Sequence, residues 1–247
     1  MEEQDGIQHY FIDSHQLEDE VTAAQYEKEA LAVLEKEFNA HDYIILTGGS
    51  GMFIDALCIG LDNIPASKEM KATITAEYEK TGIEPLLLEL KLKDPDYFVE
   101  VDQHNPMRIM RAIEVIRLTN KSYSSLRQRE PAKRPFTTHR FVIDHEREKL
   151  YERINLRVDL MMKAGLLDEV KSVVDKSNLS SLNTVGYKEI FEHLKGECSL
   201  DEAIEKIKMN TRRYAKRQLT WFRRHEDAVW IKYTDQSTMT QEIMQHL

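Results

Sequence analysis

The segment from 200 to 224 carries the densest chemistry in the chain. At about 100° per residue, Lys206, Arg213, Arg217 and Arg224 fall in one narrow stripe, and Lys208, Arg212, Lys216 and Arg223 fall in a second. Ile204, Ile207, Thr211, Tyr214, Ala215, Trp221 and Phe222 share one broad apolar face. Like charges at these spacings repel and destabilise an isolated helix. Acidic residues stop at Glu205 and resume at Glu226, so the segment offers these cations no local partner. A solvated face is the plain reading of a basic helix; the missing counter-charges tilt this one toward a surface for phosphates. Gln218 lies within the apolar face, where a buried amide must find partners.

Weaker signals lie elsewhere. Gly48-Gly49-Ser50-Gly51 stands between an apolar run and a helical pattern, where free N–H groups favour an anion; a plain tight turn is the alternative. Arg153 and Arg157, four apart on one helix, suit bidentate bonds to a diphosphate or surface pairing with Glu148 and Glu152. Arg108 and Arg111 follow a helix start at Asn105-Pro106, and Arg111 is also spaced to pair with Glu114. In Asn183-Thr184-Val185-Gly186-Tyr187-Lys188 the tyrosine either stacks on a base or is buried in a helix-opening turn. His9 and Asp13 form a possible pair, and no metal-ligand spacing or catalytic triad is seen.

Several elements must position these groups. Residues 20–38 predict a helix with Val21, Ala24, Leu31, Leu34 and Phe38 on one side. Tyr43-Ile-Ile-Leu-Thr47 predicts a strand that runs through the glycine turn into a helix from Met52, an α/β unit. A charged, mostly helical block follows over 63–135. It contains the stripe Ile109, Ala112, Ile113 and Ile116 and ends in a stiff basic linker, Pro131–Pro135. Arg140–Asp144 predicts a strand, followed by a helix with Leu150, Ile154, Val158 and Met161 inward and Gly165 near its end. Ser199-Leu-Asp-Glu202 is a capping box that opens the long basic helix. Ala228–Lys232 predicts a last strand.

The 247 residues are 41% hydrophobic, enough for a core, and carry a net charge of −9. That sum argues mildly against a nucleic-acid partner, but phosphate contacts depend on local patches. Two distant cysteines imply no disulfide framework or zinc site and fit a reducing, cytoplasmic setting. The acidic start shows no signal peptide, and no run is long and apolar enough for a membrane.

Taken in order, these pieces resemble one family throughout. His9 and Ile12-Asp13, Gly48-Gly49-Ser50, Arg108 with Arg111-Ala-Ile-Glu114, Arg153-Ile with Arg157, Val185-Gly-Tyr-Lys-Glu189, and Thr211-Arg with Lys216-Arg-Gln-Leu-Thr-Trp221 together resemble the tRNA dimethylallyltransferases. The resemblance implies a P-loop-type α/β core, with a parallel sheet, over 1–62 and 136–247. It implies an inserted helical tRNA-binding domain over 63–135. It also implies transfer of a dimethylallyl group from dimethylallyl diphosphate to N6 of adenosine 37 in the tRNA anticodon stem-loop, with Mg2+ assisting departure of the diphosphate and the base flipped out of its stack.

Residue by residue, the resemblance places Ser50 near the target nucleotide and Lys71 at a tRNA-touching arginine. Met107, Arg108, Ile109, Met110 and Arg111 match a tRNA-contacting helix start, with Met107 replacing a usual Gln. Asn183, Thr184, Val185, Gly186, Tyr187 and Lys188 match a second tRNA loop. Arg153, with Arg157 second, matches the diphosphate-binding arginine, and Lys216, Arg217 and Gln218 match a basic helix near the phosphates. The family's opening GxxxxGK[ST] and its catalytic aspartate have no counterpart in these 247 residues. The expectation is an inactive chain by itself, an open sheet edge, and a monomer when full length; a non-catalytic tRNA-binding remnant is the alternative.

Overall fold

The computed structural model describes residues 6–127 and 130–247, and the described residues are mostly helical. In chain order they form α1 (Ala23–Glu37), α2 (Gly51–Cys58), α3 (Lys68–Thr81), α4 (Glu84–Lys93), α5 (Pro95–Glu100), α6 (Pro106–Thr119), α7 (Tyr123–Leu126), β1 (Phe141–Asp144), α8 (Arg147–Lys163), α9 (Leu166–Lys171), α10 (Tyr187–Leu194), α11 (Leu200–Phe222), β2 (Val229–Lys232) and α12 (Gln236–Met244). The chain divides into two compact units. One joins the residues up to Cys58 with Pro135–Leu247, and the other is Ile59–Arg134.

The unit Ile59–Arg134 is a helical cluster around α6. Asn105 accepts the Arg108 N–H with its side chain, Pro106 opens the helix, and Asn120 ends it in a left-handed conformation. Three-four spacing puts Ile109, Ala112, Ile113 and Ile116 on one side, where they pack with Ile74, Leu86, Leu90, Tyr97 and Val101. Each large aliphatic side chain removed from water here contributes about 1.5–3 kcal/mol. Two carboxylates are buried within this unit and both are satisfied. Glu114 accepts from the Ser67 N–H at 2.8 Å and from Arg111 at 2.9 Å. Asp94 caps α5 through the Tyr97 N–H and also accepts from the Ser124 N–H and hydroxyl. Asp94→Asn places an amide donor against one of those donors, so urea unfolding should show a loss of about 1 kcal/mol; an unchanged midpoint would count against this role. The basic linker is anchored, since the Ala132 N–H donates to the Ile59 carbonyl at 2.7 Å.

In the other unit, α8, α9, α10 and α11 enclose a second core of Val158, Leu166, Val170, Leu182, Ile190, Phe191, Ala203 and Ile207. The predicted capping box is formed. Ser199 accepts the Glu202 N–H and Glu202 reaches back to the Ser199 N–H. β1 and β2 pair in parallel, with Phe141 opposite Val229 and Asp144 opposite Lys232. These two are the sheet among the described residues.

The run Tyr43–Thr47 departs from expectation, because it forms no strand. A strand needs a neighbour for its N–H and C=O groups, and no described residue pairs with this run. Ile45 is left 90% exposed. The strand–turn–helix unit predicted there is therefore present only as turn and helix.

Candidate functional site

Within the larger unit, two hydrogen bonds join α11 to the start of α2. Gln218 Nε2 donates to the Gly49 carbonyl at 3.0 Å, and Trp221 Nε1 donates to Asp55 Oδ2 at 2.7 Å. The approach is close, and at Gly51 it requires glycine. A Cβ on Gly49 would stand 1.9 Å from Gln218 Nε2, and one on Gly51 would stand 2.2 Å from Trp221 Cδ1. The Gly-Gly-Ser-Gly turn is thus shaped by the helix it touches. Asp55 also has two further basic neighbours. Its Oδ1 lies 3.1 Å from His225 Nε2 and 3.6 Å from Arg140, though not aligned for hydrogen bonds. Sequence reasoning missed Asp55 and its link to Trp221, because nothing in their spacing relates positions 166 residues apart.

Residues 214, 217, 218 and 221 share one side of α11 at three-four spacing. Tyr214, expected on the apolar face, is 41% exposed. Arg217 lies over the Tyr214 ring at 5.5 Å, and Ser50 is exposed in the turn.

The two cationic stripes divide along their length. Lys206 pairs with Glu192 at 3.0 Å, Lys208 pairs with Asp159 at 2.8 Å and Glu205 at 3.0 Å, and Arg212 donates to Asn155. The reading that this helix lacks counter-charges is therefore wrong for its first half, where α8 and α10 supply them. It stands for the second half. Lys216 and Arg217 are exposed and meet no carboxylate among the described residues, while Arg223 and Arg224 lie over Trp230 and Trp221.

Arg153 and Arg157 are exposed on α8, and neither pairs with Glu148 or Glu152. Arg153 instead lies over the Tyr233 ring at 4.7 Å. His145 stacks on the same ring at 4.0 Å, and burial followed by the nearby Arg153 charge holds its pKa below the ordinary value.

The loop before α10 resolves toward a helix-opening turn. The buried Glu189 accepts the Gly186 N–H at 2.8 Å and the Asn210 amide at 2.7 Å. Tyr187 is half-buried and donates its hydroxyl to Glu169, which with burial pushes its pKa up to about 12. Its ring meets Phe191 in a T-shaped contact at 6.4 Å. Asn183, Thr184 and Lys188 are exposed, Val185 is half-buried and Gly186 is buried. His9 turns Nδ1 to the Ile7 carbonyl rather than to Asp13.

The smaller unit sorts its candidates in the same way. Met107 is 62% exposed, Arg108 and Lys71 are exposed and Met110 is half-buried. Ile109 is fully buried in the core, which keeps its side chain from any partner. Arg111 spends its donors on Glu114, the Pro65 carbonyl and the Ile64 carbonyl. The i,i+3 pairing is thus formed, and the guanidinium ties α6 to the segment before α3.

These features define a helix-rich protein with exposed cations, some of them over aromatic rings, beside a glycine turn. A profile described as IPP transferase matches residues 1–225. The chain is 46% identical over 242 residues to tRNA dimethylallyltransferase 1 of Bacteroides thetaiotaomicron, covering 98% of this chain and 77% of that protein. It superimposes on the full-length tRNA isopentenylpyrophosphate transferase of Bacillus halodurans with a TM-score of 0.68 and 31% identity, covering 99% of this chain and 78% of that one. A crystal structure of a eukaryotic dimethylallyltransferase acting on tRNA matches at TM-score 0.78 and 22% identity, over 100% of this chain and 65% of that one, and shows the shared fold. The chain belongs to the IPP transferase family.

Proposed function

We propose that this protein transfers a dimethylallyl group from dimethylallyl diphosphate to N6 of adenosine 37 in tRNA. The 46% identity to a tRNA dimethylallyltransferase across nearly the whole chain carries this reading. In the reaction the N6 amine attacks C1 of the allyl group, the C1–O bond breaks, diphosphate leaves with the electron pair, and N6 loses a proton. An adenine amine is a weak nucleophile, so neutralising the leaving group is the protein's main task.

Arg153 is the principal diphosphate ligand in this reading, with Arg157 second. Its support is an exposed guanidinium that no carboxylate occupies among the described residues. Lys216 and Arg217 grip tRNA phosphates. Gln218 fixes the glycine turn, so that Ser50 sits at the target nucleotide. Lys71, Met107 and Arg108 in the unit 59–134, and Asn183, Thr184 and Lys188 in the other, supply further tRNA contacts. The core is read as P-loop-like, with 59–134 as its tRNA-binding insertion.

Family chemistry includes Mg2+. The described residues offer no group of three or more His, Cys, Asp or Glu side chains that could hold a metal; an Mg2+ ion here would take most of its ligands from the diphosphate and water. No described helix is long and apolar enough to cross a membrane. We place the reaction in the cytoplasm, where tRNA is found.

The test is nucleoside mass spectrometry of tRNA from cells with and without the gene. N6-dimethylallyladenosine and its derivatives should disappear from at least one tRNA and return on complementation. Unchanged levels in every tRNA would sink the reading.

A further inference from the structure

We propose that Tyr233 is a positioning residue that holds the Arg153 guanidinium over its ring at the C-terminal edge of the β1–β2 pair, leaving the N–H donors free for a diphosphate. This rests on reading Arg153 as a diphosphate ligand.

The backbone fixes the ring first. The parallel ladder ends with Asp144 opposite Lys232, and the next N–H, that of Tyr233, donates to the Asp144 carbonyl at 2.8 Å. Tyr233 is thus held one residue beyond β2, and His145 stands one residue beyond β1. Their rings stack at 4.0 Å with 27° between planes. The C-terminal edge of parallel strands is where ligands of α/β folds are commonly bound. Arg153 reaches this edge from α8 and stands 4.7 Å from the centre of the Tyr233 ring.

The manner of holding matters. Arg117 is also fixed, but it directs Nε, Nη1 and Nη2 at Glu89 and Glu77, which uses its donors and cancels its charge. Arg111 spends its donors on a carboxylate and two carbonyls. A ring attracts the guanidinium through its π electrons and carries no carboxylate to cancel the charge, and no Arg153 N–H bonds to a described residue. Arg153 is therefore ordered without being neutralised, as a bidentate phosphate ligand requires. His145, with its pKa held down by burial and by Arg153, brings no competing cation at neutral pH.

Calorimetric titration of the full chain with inorganic pyrophosphate at low salt tests this. Arg153→Ala should weaken binding at least tenfold, on the order expected for a charged hydrogen-bonding pair. Tyr233→Leu should weaken it about two- to fivefold, the factor for a cation–π contact at an exposed site. Tyr233→Phe, which keeps the ring, should bind like wild type, and Tyr233→Leu should add nothing to Arg153→Ala. Absence of wild-type binding at millimolar pyrophosphate, or unchanged binding by Arg153→Ala, overturns the diphosphate reading. A weakened Arg153→Ala with wild-type binding by Tyr233→Leu overturns the positioning role alone. So does a Tyr233→Leu loss of equal factor in both backgrounds, which marks a merely structural effect. NMR of the wild type gives a second check, because the Arg153 Nε–H proton, assigned by its loss in Arg153→Ala, should be shifted upfield by the ring. An unshifted proton overturns the stack.

Discussion

Replacing Lys216 and Arg217 together with alanine should weaken binding of a tRNA anticodon stem-loop about thirtyfold at 0.1 M salt. The estimate follows from counterion release, in which each phosphate contact contributes about 0.7–0.9 to the slope of log affinity against log salt. Two contacts make a slope change of about 1.5, and affinities converge near 1 M. The structure selects this pair because both side chains are exposed without a carboxylate partner among the described residues. Lys206 and Lys208 serve as the control. They belong to the same two stripes, but Glu192 and Asp159 already neutralise them. Lys206→Ala with Lys208→Ala should leave the slope nearly unchanged, and equal slopes for the two double variants would refute the division of the helix.

Gly51→Ala should destabilise the protein by about 3 kcal/mol. Its Cβ would stand 2.2 Å from Trp221 Cδ1 and 2.5 Å from Nε1. That ring is not free to move, since Nε1 is bonded to Asp55 at 2.7 Å and Arg224 lies over it at 5.1 Å. Overpacking costs about 1–3 kcal/mol, and leaving the Asp55 acceptor short of a donor adds about 1–3 kcal/mol. Gly49→Ala makes an instructive contrast. Its Cβ meets the end of Gln218, a flexible side chain that can swing aside and lose one hydrogen bond, a loss of about 1 kcal/mol. Urea unfolding of the two variants gives the comparison, and a Gly49→Ala loss as large as that of Gly51→Ala would contradict this account.

Local signals translated well where one stretch of chain supplies all the physics. The capping box at Ser199 and the cap at Asn105 need only neighbours within a turn. The 3.6-residue stripes of α6 and α8 buried Ile109, Ile113, Ile154 and Val158 as expected. Tyr43–Thr47 failed for the opposite reason. Its composition suits a strand, but a strand is completed by a partner's hydrogen bonds, and composition cannot state whether the partner is there.

The same boundary runs through the site. Residue type and spacing by themselves determined the basic helix, the glycine turn, the arginine pair on α8 and the family these belong to, because each is a pattern of local chemistry in a set order. Only the tertiary structure decided which cations are still available. α8 and α10 neutralise the first half of the basic helix and leave Lys216 and Arg217 open. Glu114 and two carbonyls occupy Arg111, whereas Arg153 lies over the Tyr233 ring and meets no carboxylate among the described residues. A charge acts on a ligand only if no nearer group has already used its field and its donors, and the nearest group is set by packing between segments far apart in the chain.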